Sequence, residues 1–125
     1  MAWKYDKETK TIKVNRGDIL PMTFSIPLDE EKNYTFKNGD KITFGVYEKK
    51  GYDKPALILK EVIVEEETTT VDLSLTSGET KIGEISSKPV QYVYEIQLNE
   101  EQTVIGQDDD GDKIFELWAE GSNIK

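Results

Sequence analysis

A chain of 125 residues fits one domain, which buries roughly 65% of its extended surface and so needs no disulfide staples. Sixteen Lys and Arg against 25 Asp and Glu leave a formal charge of -9, which repels nucleic acid and anionic membranes. With no cysteine and no histidine, disulfides, thiolate nucleophiles, imidazole bases and the commonest transition-metal ligands are excluded.

The residues after Met1 carry no apolar run of signal-peptide type, and no stretch approaches the length of a membrane span, so the expectation is a soluble chain made in a cytoplasm. Residues 1–10 are polar apart from Trp3 and Tyr5 and read as an arm or a short edge strand. Ile12 and Val14 alternate with polar neighbours and stop at the turn formers Asn15-Arg16-Gly17-Asp18, where a hairpin-like reversal is expected. Leu20, Met22, Phe24 and Ile26 form the next alternating run, and Pro21 within it argues for an edge or a bulge.

Leu28 to Lys37 is a charged connection, with Tyr34 and Phe36 as plugs over the end of the core, and Asn38-Gly39-Asp40 is a tight turn. Ile42, Phe44 and Val46 mark a strand, and Lys49 to Pro55 a loop or hairpin tip. From Ala56 to Glu65 the apolar parity changes between Leu57, Leu59 and Val62, Val64, so a bulge near Lys60-Glu61 is expected. Val71, Leu73 and Leu75 give another strand. Thr76-Ser77-Gly78-Glu79 has the spacing of a capping box, which predicts a short helical turn to about Ile85, with Ile82 and Ile85 on its buried side and Pro89 ending it.

Val90 to Leu98 is the most regular run, with Tyr92, Tyr94, Ile96 and Leu98 on one parity. Thr103 to Ile105, a polar tip from Gly106 to Asp112 and a strand from Lys113 to Ala119 follow, and residues 121–125 should fray. In that last strand Phe115 and Leu117 share one face, Ile114 and Trp118 the other, so an outward partner or an inner position is implied. The sum is all-β: about seven to nine short strands in one antiparallel β-sandwich over residues 11–120, with one short helical turn.

The run from Pro89 to Gly121, with Tyr-x-Tyr-Glu-Ile-x-Leu at Tyr92 to Leu98, then Thr103-Val104-Ile105, a Gly-bearing turn and a last strand, resembles the closing strands of small immunoglobulin-like domains in phage and prophage virion proteins. The N-terminal domains of baseplate upper proteins from phages of Gram-positive hosts are the nearest group. Arg16-Gly17-Asp18 leading into Leu20 to Phe24, and Asn38 to Phe44, are similar to the opening strands of such domains. The resemblance implies a non-enzymatic head, tail or baseplate assembly or adaptor domain that ends in the virion and whose partners are other virion proteins or its own copies. It also implies a tyrosine corner at Tyr92, whose hydroxyl would return to the backbone of the preceding helical connection. Tyr94 and Phe44 join it as structural aromatics.

Other candidate sites weigh less. Arg16-Gly17-Asp18 spells an adhesion tripeptide but reads as a turn. Asp108, Asp110 and Asp112 alternate like calcium ligands, yet Lys113 stands where glycine is needed and no Glu closes the loop, so the reading is a solvated tip and no cofactor. Glu48, Glu61, Glu95 and Glu116 could supply a glycosidase pair, but their solvent parity or strand-end positions argue for solubility. Trp3, Tyr5, Tyr47, Tyr52 and Trp118 are the aromatics that could meet a partner, with Ile114 and Trp118 as an outward patch; a carbohydrate or host-surface module built on them is the alternative function.

Overall fold

In the computed structural model, residues 3–6, 8–26, 28, 31–48, 55–83, 88–99, 101–105 and 113–119 are described. They contain nine strands and no helix: β1 (Trp3–Asp6), β2 (Thr11–Asn15), β3 (Leu20–Phe24), β4 (Lys41–Tyr47), β5 (Ile58–Ile63), β6 (Val71–Leu75), β7 (Val90–Leu98), β8 (Gln102–Ile105) and β9 (Ile114–Trp118). Seven of them form one sheet in the order β1-β2-β9-β7-β4-β5, with β8 attached to β7, while β3 and β6 make a second sheet of two. The arrangement is that of a β-sandwich with unequal layers. No helix among the described residues is long and apolar enough to cross a membrane.

The long alternating strand β7 is central. Its one side pairs with β4 over Val93 to Leu98, and its other side is divided between β9, opposite Val90 to Val93, and β8, opposite Ile96 to Leu98. Tyr92, Tyr94, Ile96 and Leu98 are all buried, as their parity requires. Phe44 lies 5.7 Å from Tyr94 and 6.3 Å from Phe115, centroid to centroid, so the aromatic core forms across three adjacent strands. From the opposite layer Leu20, Leu73 and Leu75 close onto it without measurable exposure beyond 1%.

Several sequence expectations change in the folded chain. Residues 3–6 are an edge strand, antiparallel to β2 through a turn in which Lys10 has φ 59°. The reversal at Asn15 to Asp18 is tight, with Asp18 N–H donating to the Asn15 carbonyl at 3.1 Å, but it is no hairpin: β2 and β3 belong to different sheets. The pairing is not wholly antiparallel either, because β2 runs parallel to β9.

The bulge expected near Lys60-Glu61 is absent, since β4 and β5 keep one register from Lys41↔Ile63 to Val46↔Ile58. Lys60, rather than Leu59, takes the inward parity between Ile58 and Val62, because its ammonium reaches the Glu79 carboxylate at 3.0 Å. The irregularity occurs instead at Ile96/Gln97, where β8 joins β7.

The connection after β6 keeps its capping box and loses its helix. Glu79 N–H donates to Thr76 Oγ1 at 3.2 Å and Thr76 N–H to Glu79 Oε1 at 2.9 Å, so the reciprocal bonds form. A single further turn follows before Gly83, at φ 67°, redirects the chain. Ile82 packs on the core; Ile85 lies outside the described residues, as do residues 121–125. This turn is held by a tripeptide more than sixty positions earlier in the chain: the Arg16 guanidinium donates to the carbonyls of Lys81, Ile82 and Gly83, and Gly17 N–H to Thr80 Oγ1. Arg16-Gly17-Asp18 is therefore a structural clamp, with its guanidinium turned onto backbone.

Candidate functional site

A two-stranded layer cannot cover a layer six strands wide. At about 4.8 Å per strand, β3 and β6 leave part of the inner face of the large sheet without an opposing strand among the described residues. The result is a groove of about 470 Å³ between β1 and β3, within the range of ligand-sized pockets. Its floor is Ile12 of β2 with Tyr94 and Ile96 of β7. Trp3 and Tyr5 form one wall, Met22 and Phe24 the other.

Register explains why the β1 aromatics point there. Trp3 is opposite Val14 and Tyr5 opposite Ile12, and both β2 residues face the core, so the two rings lie on the inner side of the sheet. Trp3 packs against the core, and Tyr5 keeps 40% of its surface exposed at the rim. The Tyr94 hydroxyl donates to the Lys10 carbonyl, pinning the β1–β2 turn over the groove floor. Burial raises the Tyr94 phenol well above its usual range, and the adjoining Tyr5 hydroxyl adds to the rise; Tyr5 itself is raised, first by burial. Both phenols are neutral near pH 7 and serve as hydrogen-bonding groups.

The β3 wall has a second property. Proline has no N–H, so the Pro21↔Ser74 pair must be one of the non-hydrogen-bonded pairs of the β3–β6 ladder. Leu20, Met22 and Phe24 therefore exchange bonds with β6, while the carbonyl of Pro21 and both backbone groups of Thr23 point the opposite way, to the groove. Among the described residues no strand pairs with that edge.

The expected interface set divides. Tyr47, Val93 and Ile114 form one row across β4, β7 and β9 on the outer face of the large sheet, and the Tyr47 side chain lies over Gly45, where an added Cβ would meet its hydroxyl at 2.8 Å and its ring at 2.9 Å. Trp118 is outward and 42% exposed, one turn of the pleat beyond Glu116. Trp3 faces inward, on the opposite side of the sheet from Ile114 and Trp118, so among the described residues the expected set falls on two faces. Tyr52 and the aspartates Asp108, Asp110 and Asp112 lie outside the described residues.

Tyr92 is buried and reaches the connection, its hydroxyl resting where a Cβ on Gly83 would come within 2.5 Å; the Tyr94 hydroxyl bonds instead to the Lys10 carbonyl in the β1–β2 turn, 84 residues away, which is a different contact from a tyrosine corner. Of the carboxylates weighed for sugar chemistry, Glu61 pairs with Lys41 at 3.2 Å and Glu116 accepts from Gln91 at 3.3 Å, both on the outer face. No group of three or more metal-ligating side chains occurs among the described residues. Sequence reasoning missed Met22, Thr23 and Phe24 as site residues, although Pro21 carried the signal of an open edge. Comparison of the chain with protein-family models, with curated proteins and with solved structures gave no match.

Proposed function

We propose that the chain is a non-enzymatic assembly or adaptor domain of immunoglobulin-like type, working in a phage or prophage particle at the head, tail or baseplate. The observation that carries the assembly reading is the aromatic-walled groove where the second layer stops short, bordered by a strand edge that no strand pairs with among the described residues. It offers shape and hydrogen bonds to a neighbour, and its ionisable groups are phenols raised away from neutrality. The virion setting is supported by the likeness of Arg16 to Phe24, Asn38 to Phe44 and Pro89 to Gly121 to virion domains, and it fits the two-layer fold. The glycan alternative receives less support, since Trp3 and Trp118 fall on opposite sides of the large sheet.

Particle proteomics tests this reading. Particles induced from the producing host and banded on a density gradient should contain the chain at a fixed ratio to the major capsid protein. Complete, infectious particles from a strain deleted for the gene would overturn it.

A further inference from the structure

We propose that the groove beside β3 accepts an extended segment of another protein, which adds as a third strand to the β3–β6 sheet, with apolar side chains at alternate positions and basic residues flanking them. The inference rests on the assembly reading above and names the chemistry of the partner. Its first ground is the backbone. By the register, the Pro21 carbonyl and the Thr23 N–H and carbonyl fall on the side of β3 away from β6, the alternation with which an extended chain pairs. The second is the floor. A strand laid beside β3 places every other side chain over Ile12, Tyr94 and Ile96 and between Tyr5 and Phe24, which asks for apolar residues at period 2.

Charge selects between a foreign segment and a second copy of this chain. Two copies at -9 each repel one another, whereas a cationic segment is drawn to the surface. Pro21 sets the length of the ladder. Without an N–H at that position the added strand finds an acceptor but no donor there, so pairing is centred on Thr23 and stays short. The side chains over the floor then supply most of the specificity.

The test uses the full chain as bait for a displayed library of random twelve-residue peptides, followed by calorimetric titration of the synthetic winners. Enriched peptides should alternate apolar residues and carry Lys or Arg at their ends. Thr23→Pro removes the groove-facing N–H, leaves the backbone bonds to β6 in place and loses the Thr23 Oγ1 bond to Asp72; it should weaken binding about tenfold or more, while Thr23→Ala, which loses the same side-chain bond but keeps the N–H, should not. Because a proline variant can misfold, the same question is put to the ligand. N-methylation at alternate peptide residues of one parity should abolish binding, and at the other parity should be tolerated. Binding indifferent to that parity, an absence of enriched peptides, occupancy of the groove by oligosaccharides alone, or a dimer in sedimentation that Thr23→Pro dissolves would each overturn the proposal. None of these outcomes depends on whether the chain is found in particles, so the two readings fail separately.

Discussion

Outside the aromatic core, Asp40 gathers hydrogen bonds from three separate parts of the chain. Its carboxylate accepts from Lys37 N–H at 2.9 Å, from the Tyr34 hydroxyl at 2.8 Å and from Asn99 Nδ2 at 3.1 Å, while its carbonyl takes the N–H of Val64. One side chain thus joins the turn before β4, the plug formed by Tyr34 against Phe36, and the end of β7. The Lys37 N–H is the largest cause that holds the carboxyl below its ordinary value; burial opposes it and loses. Since the folded value is depressed, the stabilisation is fully present above the ordinary aspartate range and disappears as pH falls through the folded value, below about 4. Asp40→Asn should therefore cost about 1–3 kcal/mol in urea unfolding at pH 7, with the gap to the parent narrowing steadily below pH 4. A gap that is constant from pH 7 to pH 2.5 would show that the charge is not what binds these donors. Thr43 makes the opposite case. Its hydroxyl is buried without a hydrogen-bond partner among the described residues, so Thr43→Val, similar in shape, should leave stability unchanged or raise it by up to about 1 kcal/mol.

At the scale of elements, β7 organises the sheet and also anchors its edge. The Tyr94 hydroxyl crosses from the central strand to the Lys10 carbonyl, so the β1 hairpin depends on a bond made two strands away. Tyr94→Phe keeps the ring contact with Phe44 and removes that bond together with the hydroxyl's interaction with Tyr5 of β1. It should cost about 1 kcal/mol globally and speed amide exchange selectively in residues 8–12, with β4 unaffected. Uniform acceleration across the sheet would mean that the bond does not hold the hairpin. The strands were legible because alternation is local: β6 and β7 fall where Val71 to Leu75 and Val90 to Leu98 place them. Pairing was less so. Lys60 reads as a surface residue until Glu79, nineteen positions on, is found beside it, and without that partner the parity of β5 looks broken. The Trp3 and Tyr5 orientation required knowing which strand β1 joins, and the groove required knowing that the second sheet stops at two strands. Neither fact has a local signature beyond Pro21.

For the whole molecule, the exchanged parity of β5 leaves a consequence on the outside. Leu57, Leu59 and Ile63 project outward beside the β5 edge of the seven-stranded sheet, which no strand pairs with among the described residues, with Leu59 58% and Ile63 55% exposed. Long apolar edges recruit other edges, and within this face only Glu61, engaged with Lys41, supplies a charge to β5's outward row. What keeps copies apart is then long-range repulsion from the net charge of -9, a force that salt screens and acid removes. The chain should remain monomeric at neutral pH and low ionic strength and begin to associate as pH approaches its isoelectric point near 4.6 or as salt passes about 0.5 M. Leu59→Lys and Ile63→Lys place charge on the edge itself, as natural sheets do, and should suppress that association in light scattering while shifting the melting temperature by no more than about 2 °C. They bring the net charge closer to zero, so a purely global electrostatic account expects them to promote association instead. The sign of their effect separates the edge from the overall charge as the determinant of solubility.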